Sequence, residues 1–409
     1  MMGKTKHRYP KETEGEQFLP LDFPLEQEKS GQGTQNDPGA FYDQQSLSSA
    51  VKAKIVSEYF EHWSQIIKVT KKKHNSSIGP LAYIDLYCGP GIYDDGNKST
   101  PILILEKAQK DPEIWDHLYC KFNDIEPQYV AALEGYIEAH FPDIPNKPQY
   151  SHISVGDQIV NFLREKPESY SSLSFIDPWG YKGLTMDLIC ATLKTWGSDA
   201  IFFFNYDRIN RDINNPIVWE HLERLFTGDM FQRVQAIVRS FKQGLSEEKE
   251  REIISCMAEA LKNYGGKFVL PFSFKMANKH RTSHYIIFVS KAQKGYEVMK
   301  EIMYKNSATY RRGAPHLSYD PKVELLQGTF EALAATSIEE LARQLLVKFS
   351  GQTLSVENIF HEHNVGTPYC LEHYKDAIKL LYEQHKIKAD RAIDKRGVGN
   401  KRIITFSIC

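Results

Sequence analysis

Six cysteines are spread through the 409 residues, at Cys88, Cys120, Cys190, Cys256, Cys370 and Cys409, with no Cys-x-x-Cys pair and no His/Cys cluster. That spacing excludes the usual zinc modules and gives no disulfide framework; no metal site is expected, and the thiols read as reduced core residues. Long apolar runs are also missing, as is a secretory leader, which predicts a cytoplasmic protein with no membrane partner. Charge of one sign is lacking too: 51 Lys and Arg face 52 Asp and Glu, for a formal net charge of -1. Bulk charge therefore gives no argument for nucleic acid, and any basic surface must be local. The length exceeds what one core usually covers, so two or three domains are expected.

What is present is a strand-like run, Leu81-Ala82-Tyr83-Ile84-Asp85, leading through Leu86, Tyr87 and Cys88 into Gly89-Pro90-Gly91. Glycines at this spacing let the backbone turn tightly and approach a ligand where a Cβ would collide. A dinucleotide site wants a third glycine three residues on, where Asp94 stands, and NAD is disfavoured. An acid, three residues and Gly-x-Gly is how a first strand meets S-adenosylmethionine (SAM). Asp85 is the candidate for the ammonium of its methionine end, and Tyr87, Gly89 and Gly91 for the loop around it.

Two further strand ends carry acids in the same order. Leu118 to Asn123 ends at Asp124 and Glu126, and Tyr150 to Gly156 ends at Asp157. A carboxylate at the second strand tip accepts from both ribose hydroxyls; Asp124 is the first choice and Glu126 the reserve. Asp157 stands where the adenine amino group is often bound. Leu173 to Ile176 then runs into Asp177-Pro178-Trp179-Gly180. Open α/β sheets bind ligands at the carboxyl ends of their strands, so this fourth tip is the expected place of group transfer. Asp177 would orient an acceptor, Pro178 would lie beside it, and Trp179 would stack on it. Amino-directed methyltransferases carry a second proline and an aromatic where Trp179 and Gly180 stand, which weakens an exocyclic amine as the target.

The rest of the chain organises around this module. Residues 1–44 are polar and read as disordered or loosely attached. Val51, Ile55, Tyr59, Phe60, Trp63, Ile66 and Ile67 recur at helical spacing ahead of the first strand. Asp199 to Asn205 predicts a fifth strand, and Phe268 to Phe274 with His284 to Ser290 a closing antiparallel pair. Arg208 and Arg211 follow the fifth strand and suit a phosphate or carboxylate, unless neighbouring acids pair with them. The expected fold is thus α/β, a Rossmann-like class I SAM-dependent methyltransferase with a seven-stranded sheet over 45–310 and a helical insertion at 214–264. Residues 311–409 predict three helices and a terminal hairpin, a winged-helix-like module whose wing holds Lys395, Arg396, Lys401 and Arg402 for phosphates. Its first helix is expected to begin at a capping box on Ser337.

On Lys54 to Trp63, Tyr83 to Gly91, Asp177 to Gly180, Phe204-Asn205 with Arg211, and Arg281 ahead of Tyr285 to Phe288, the chain resembles the three-Cys-motif partner family, TcmP. The resemblance implies a methyltransferase-like domain and a companion protein bearing the three cysteines; it supplies no substrate. The leading expectation is a SAM-dependent methyltransferase that modifies a base nitrogen or oxygen of nucleic acid. A non-catalytic partner that docks nucleic acid for a companion enzyme is the alternative from another class. Methylation of a small molecule or protein is the third reading.

Overall fold

The computed structural model describes residues 47–407 apart from Trp179, Lys182, 242–246, 277–278, Ala308, 312–313, Leu317, 320–330 and 394–396. Strand β1 (Leu81–Asp85) is buried at every position, as its unbroken apolar run requires of a central parallel strand. It pairs in parallel with β2 (Leu118–Asn123) and, on its other side, with β4 (Ser171–Ile176). Strand β3 (Gln149–Ser151) extends the sheet beyond β2, and β5 (Asp199–Phe204) extends it beyond β4. Strand β6 (Phe268–Met276) follows on the same side as β5, and β7 (Lys279–Ser290) runs antiparallel between the two.

The order 3-2-1-4-5-7-6 with an inverted seventh strand is the class I SAM-dependent methyltransferase fold. After a short hairpin of β8 (Thr309–Arg311) and β9 (Ala314–His316), β10 (Ser318–Tyr319) adds an eighth strand, parallel to β6. That edge strand was not legible beforehand: two residues carry no periodicity.

Side chains alternate across the sheet. Leu81, Tyr83, Leu173, Phe175, Ile201, Ile286 and Phe288 face one core, and Ala82, Ile84, Ile176, Phe202 and Ile287 face the other. The first core is covered by α1 (Leu47–Lys73), α2 (Thr100–Ala108), α3 (Pro112–His117) and α4 (Pro127–His140). The second is covered by α5 (Asp157–Glu165), α6 (Met186–Thr192), α7 (Tyr206–Asp212), α8 (Trp219–Phe226), α9 (Gly228–Ser240) and α10 (Glu247–Asn263). Helix α11 (Gln293–Lys305) returns to the first face, through Tyr296, Met299 and Met303.

Helix α1 buries Ile55, Tyr59, Phe60, Trp63 and Ile67 of the stripe its sequence spacing predicts, leaves Val51 and Ile66 half-buried, and buries Val56 in addition. Each such side chain contributes about 1.5–3 kcal/mol of burial. Polar tips are satisfied: the Tyr59 hydroxyl donates to Asp199 Oδ2 at 2.6 Å and Trp63 Nε1 to Gly197 O at 2.8 Å. At the far end of the helix Lys68 pairs with Asp111 at 2.7 Å and Lys72 with Glu113 at 2.7 Å.

The C-terminal module has α12 (Glu331–Lys348), β11 (Thr353–Ser355), α13 (Val356–His363), α14 (Leu371–Glu383), β12 (Ile387–Ala389) and β13 (Ile403–Phe406). This is a winged helix around Leu341, Leu345, Phe349, Ile359, Ile378 and Phe406. Two details differ from expectation. Helix α12 starts at Glu331, so Ser337 lies inside it rather than at its cap. The terminal hairpin also gains β11 as a third strand, paired with β13, and Ser355 caps α13 by accepting from Asn358 N.

Candidate active site

Asp85 ends β1 with only 1% of its surface exposed. Its Oδ2 accepts from the Tyr83 hydroxyl at 3.0 Å and its Oδ1 from Tyr87 N at 3.2 Å. Burial, with repulsion from Asp177 and Asp124 added, raises its pKa to about 7. The loop beyond it is shaped by Asp124 at the tip of β2, which accepts from Gly89 N at 3.0 Å and from Glu126 N at 3.1 Å. A carboxylate offers about four acceptor positions, so these bonds leave room for a ligand hydroxyl. Gly91 has φ +87°, and a Cβ there would stand 2.9 Å from Leu133 Cδ1. Glu126 is half-buried at the start of α4 without capping it, and Ile125 before it is 58% exposed. Cys88 is buried beneath the loop, and that burial pushes its thiol pKa well above the ordinary value.

Asn123 holds these tips in register. It donates to Leu86 O and Ile153 O, both at 3.1 Å, and accepts from Ser151 Oγ at 2.6 Å and Ile153 N at 3.2 Å. Sequence reasoning passed over it in favour of its charged neighbour. An amide, with donor and acceptor, is what the knot between three loops needs.

Asp157 opens α5 and pairs with Arg224 of α8 at 2.9 Å. Both line a cavity of about 270 Å³ whose other polar side chains come from Ser154, Tyr181, Thr185 and His221. The cavity joins the loops after β3 and β4 to the helical insertion. Gly183 closes the two loops together: its φ is +79°, and a Cβ would lie 2.9 Å from both the Tyr87 hydroxyl and Val155 O. Neither His221 nor Arg224 was singled out from the sequence, since their helix meets the sheet only through the fold.

Asp177 follows β4 on the α1 side of the sheet, in phase with Leu173 and Phe175. Its Oδ2 accepts from Lys52 Nζ of α1 at 2.7 Å, with the two side chains 24% and 11% exposed. The same ammonium stands 4.7 Å from the centre of the Phe203 ring. Phe203 and Phe274 bracket the His284 ring, each with centroids 4.6 Å away. Ser283 Oγ donates its proton to Phe274 O at 3.0 Å, so its 2.8 Å contact with His284 places the imidazole proton on Nδ1. Burial, then the nearby Lys52 charge, hold that ring neutral, and Nε2 is buried without a partner. Pro178 is buried beside Asp177; Trp179 lies outside the described residues.

The arginines after β5 have local partners. Arg211 pairs with Asp207 at 3.2 Å, and Arg208 lies 3.7 Å from Asp212 and 5.5 Å from the centre of the Tyr181 ring. In the wing, Lys401 is exposed and Arg402 Nη1 lies 3.6 Å from Asp390; Lys395 and Arg396 lie outside the described residues. Among the described residues no group of three or more His, Cys, Asp or Glu is placed to hold a metal ion. Nor is any described helix long and apolar enough to cross a membrane.

A family model described as a GMT-like wHTH domain matches residues 318–393. No curated protein matches the chain. Among solved structures, a Legionella pneumophila protein is 14% identical, covering 61% of this chain and 88% of its own, with a TM-score of 0.32. Magnesium protoporphyrin IX methyltransferase from Synechocystis with bound SAH is 11% identical over 62% of this chain and 92% of its own, with a TM-score of 0.25. The methyltransferase domain of bacterial CtHen1 is 12% identical over 57% of this chain and 100% of its own, with a TM-score of 0.28. At such scores the fold assignment rests on the strand order, not on these likenesses.

Proposed function

We propose that the protein is a SAM-dependent methyltransferase that modifies a base nitrogen or oxygen of nucleic acid, working with a companion three-Cys-motif protein. The observation that carries the cofactor is Asp85. Its carboxylate is buried at the glycine loop among other acids, where a cationic ligand would relieve both burial and repulsion. Asp124 and Glu126 are the residues for the ribose, and the exposed Ile125 offers an apolar face to the adenine. Asp157 would meet the adenine amino group by exchanging its contact with Arg224. SAM, when bound, supplies a methyl group already activated on a sulfonium, so the protein has chiefly to align the acceptor.

Asp177 takes that part at the tip of β4. One oxygen is held by Lys52, and the other is left to accept from the acceptor amine or hydroxyl. Phe203 is the described aromatic residue near Asp177 for a flipped base, and Trp179 is the candidate that the sequence offers. Arg208 and Arg211, released from their acids, suit its phosphate. The winged helix, with Lys395, Arg396, Lys401 and Arg402, would hold the strand from which the base is taken.

The Lys52–Asp177 pair also favours the second reading, a non-catalytic partner, because it already occupies the residue meant for the acceptor. A radiolabelled-methyl screen across DNA, RNA and small molecules, run with and without Asp177→Ala, separates the two. An enzyme labels one class and loses that label in the variant. A docking protein labels none by itself, and any label that appears with its companion is indifferent to Asp177→Ala.

A further inference from the structure

The winged helix is fixed to the methyltransferase domain by the part that such modules ordinarily use to read a base sequence. Helix-turn-helix proteins insert the N-terminal residues of their second recognition helix into the major groove. Here that helix is α14, and its start is packed on α11. Cys370 Sγ donates to Lys300 O at 3.7 Å, and the His373 ring meets Tyr304 edge-on at 4.8 Å. The turn before it is tied down as well: Gly366 N donates to the Tyr296 hydroxyl at 3.2 Å, and the fully buried Lys300 ammonium donates to Asn364 O. Glu297 accepts from His361 Nδ1 at 3.0 Å and from Asn364 Nδ2 at 3.1 Å.

What α14 leaves in solvent also suits a groove poorly. Glu372, Asp376 and Glu383 are exposed with Lys379, and Lys375 is paired with Glu372 at 2.7 Å. The opposite surface of the module differs. On the outer face of its sheet Thr353, Thr405 and Lys388 stand side by side across three strands. All three are exposed, and the two threonine hydroxyls lie 3.0 Å apart. Lys401, in the turn that leads into β13, is exposed as well.

Resting on the nucleic-acid reading above, we infer that the module grips the phosphate backbone along this strand face, through Lys388, Lys401, Thr353 and Thr405, without reading sequence through α14. Ammonium groups and hydroxyls contact phosphates and carry no base information. Selectivity for a base would then belong to the residues around Asp177.

The test is fluorescence anisotropy with labelled single-stranded and duplex oligonucleotides, DNA and RNA, of two unrelated sequences, over a salt series. It compares the full-length protein with Lys388→Gln/Lys401→Gln and with Lys375→Gln/Lys379→Gln. All four lysines are exposed or at the rim, and an unchanged melting temperature checks that both variants fold. We expect the wild type to bind both sequences within about threefold and the strand-face variant to lose about tenfold at low salt. On duplex DNA its log–log salt slope should flatten by about 0.9 for each phosphate contact removed. The α14 variant should stay within about twofold of wild type. Loss confined to the α14 variant, or strong preference between the two sequences, overturns this surface and leaves the nucleic-acid reading intact. Failure of the wild type to bind any oligonucleotide removes that reading and the surface with it.

Discussion

Lys52 Nζ, on a helix outside the sheet, lies 2.7 Å from Oδ2 of Asp177 at the tip of β4. The pair joins α1 to the strand end where group transfer is proposed, and it fixes which carboxylate oxygen is free. Replacing Lys52 by Met should leave SAM affinity within about threefold while methyl transfer falls at least tenfold, since only the acceptor side is disturbed. The fold should lose about 1–3 kcal/mol, the usual range for stranding one partner of a largely buried hydrogen bond. Lys52→Arg should recover part of the transfer. Equal losses of cofactor affinity and turnover in Lys52→Met would argue against this division of labour.

Asp85 makes stability depend on pH in a direction opposite to most carboxylates. Its pKa rises from 3.8 in the unfolded chain to about 7 in the fold, so the folded state binds the extra proton between those values. Its contribution is fully present below the lower value and is lost as pH rises through about 7. Asp85→Asn keeps the shape without the charge. The melting temperature of that variant should match wild type near the lower end of the window and exceed it increasingly towards pH 8. Thermal melts across the range read this directly; a gap that narrows with rising pH would show that the Asp85 charge is not destabilising.

Gly183 is the position where loop packing leaves no room. A Cβ at φ +79° would meet the Tyr87 hydroxyl and Val155 O, the second of which is backbone and cannot rotate away. Gly183→Ala should cost about 1–3 kcal/mol in backbone strain alone. It should also weaken SAM binding, because the loops after β1 and β3 move apart. Gly96→Ala, also at positive φ but with open space around the Cβ site, is the control and should spare binding.

Lys300 is fully buried between the two domains, and burial lowers its pKa to about 8. Lys300→Ala would take away the cation near Glu297 and the donor to Asn364 Oδ1, while Asn364 O keeps its bonds from Thr367. Losing a buried hydrogen bond from a charged donor costs about 1–3 kcal/mol. Calorimetric scans should then resolve the winged helix as a separate transition at lower temperature, while the sheet domain keeps its own. A single unshifted transition would mean that the docking does not depend on this ammonium.

Much of the fold was legible because its signals are local. The apolar run before Asp85, the acids at successive strand ends and the closing pair of strands each follow from patterns over a few residues, and together they point to a seven-stranded α/β sheet. The stripe from Ile55 to Ile67 likewise announced α1. What could not be read comes from contacts distant in sequence. Lys52 and Asp177 are 125 residues apart, and nothing near Lys52 marks it as different from a solvated helix lysine. His221 and Arg224 reach the cavity only because the insertion folds back over the loops after β3 and β4. The docking of α14 depends on α11, whose own sequence shows only an amphipathic helix. Ser337 was misread for a simpler reason: a capping-box pattern also occurs inside helices, where tertiary packing decides the boundary.

Titration calorimetry of SAM and of S-adenosylhomocysteine against the wild type, Asp85→Ala and Asp124→Ala tests the central claim most directly. The account predicts micromolar binding of both ligands to the wild type. It also predicts loss of binding of both ligands in both variants, since the ammonium met by Asp85 and the ribose met by Asp124 are common to the two. A folded wild type that takes up neither ligand, or variants that bind as well as wild type, would contradict it.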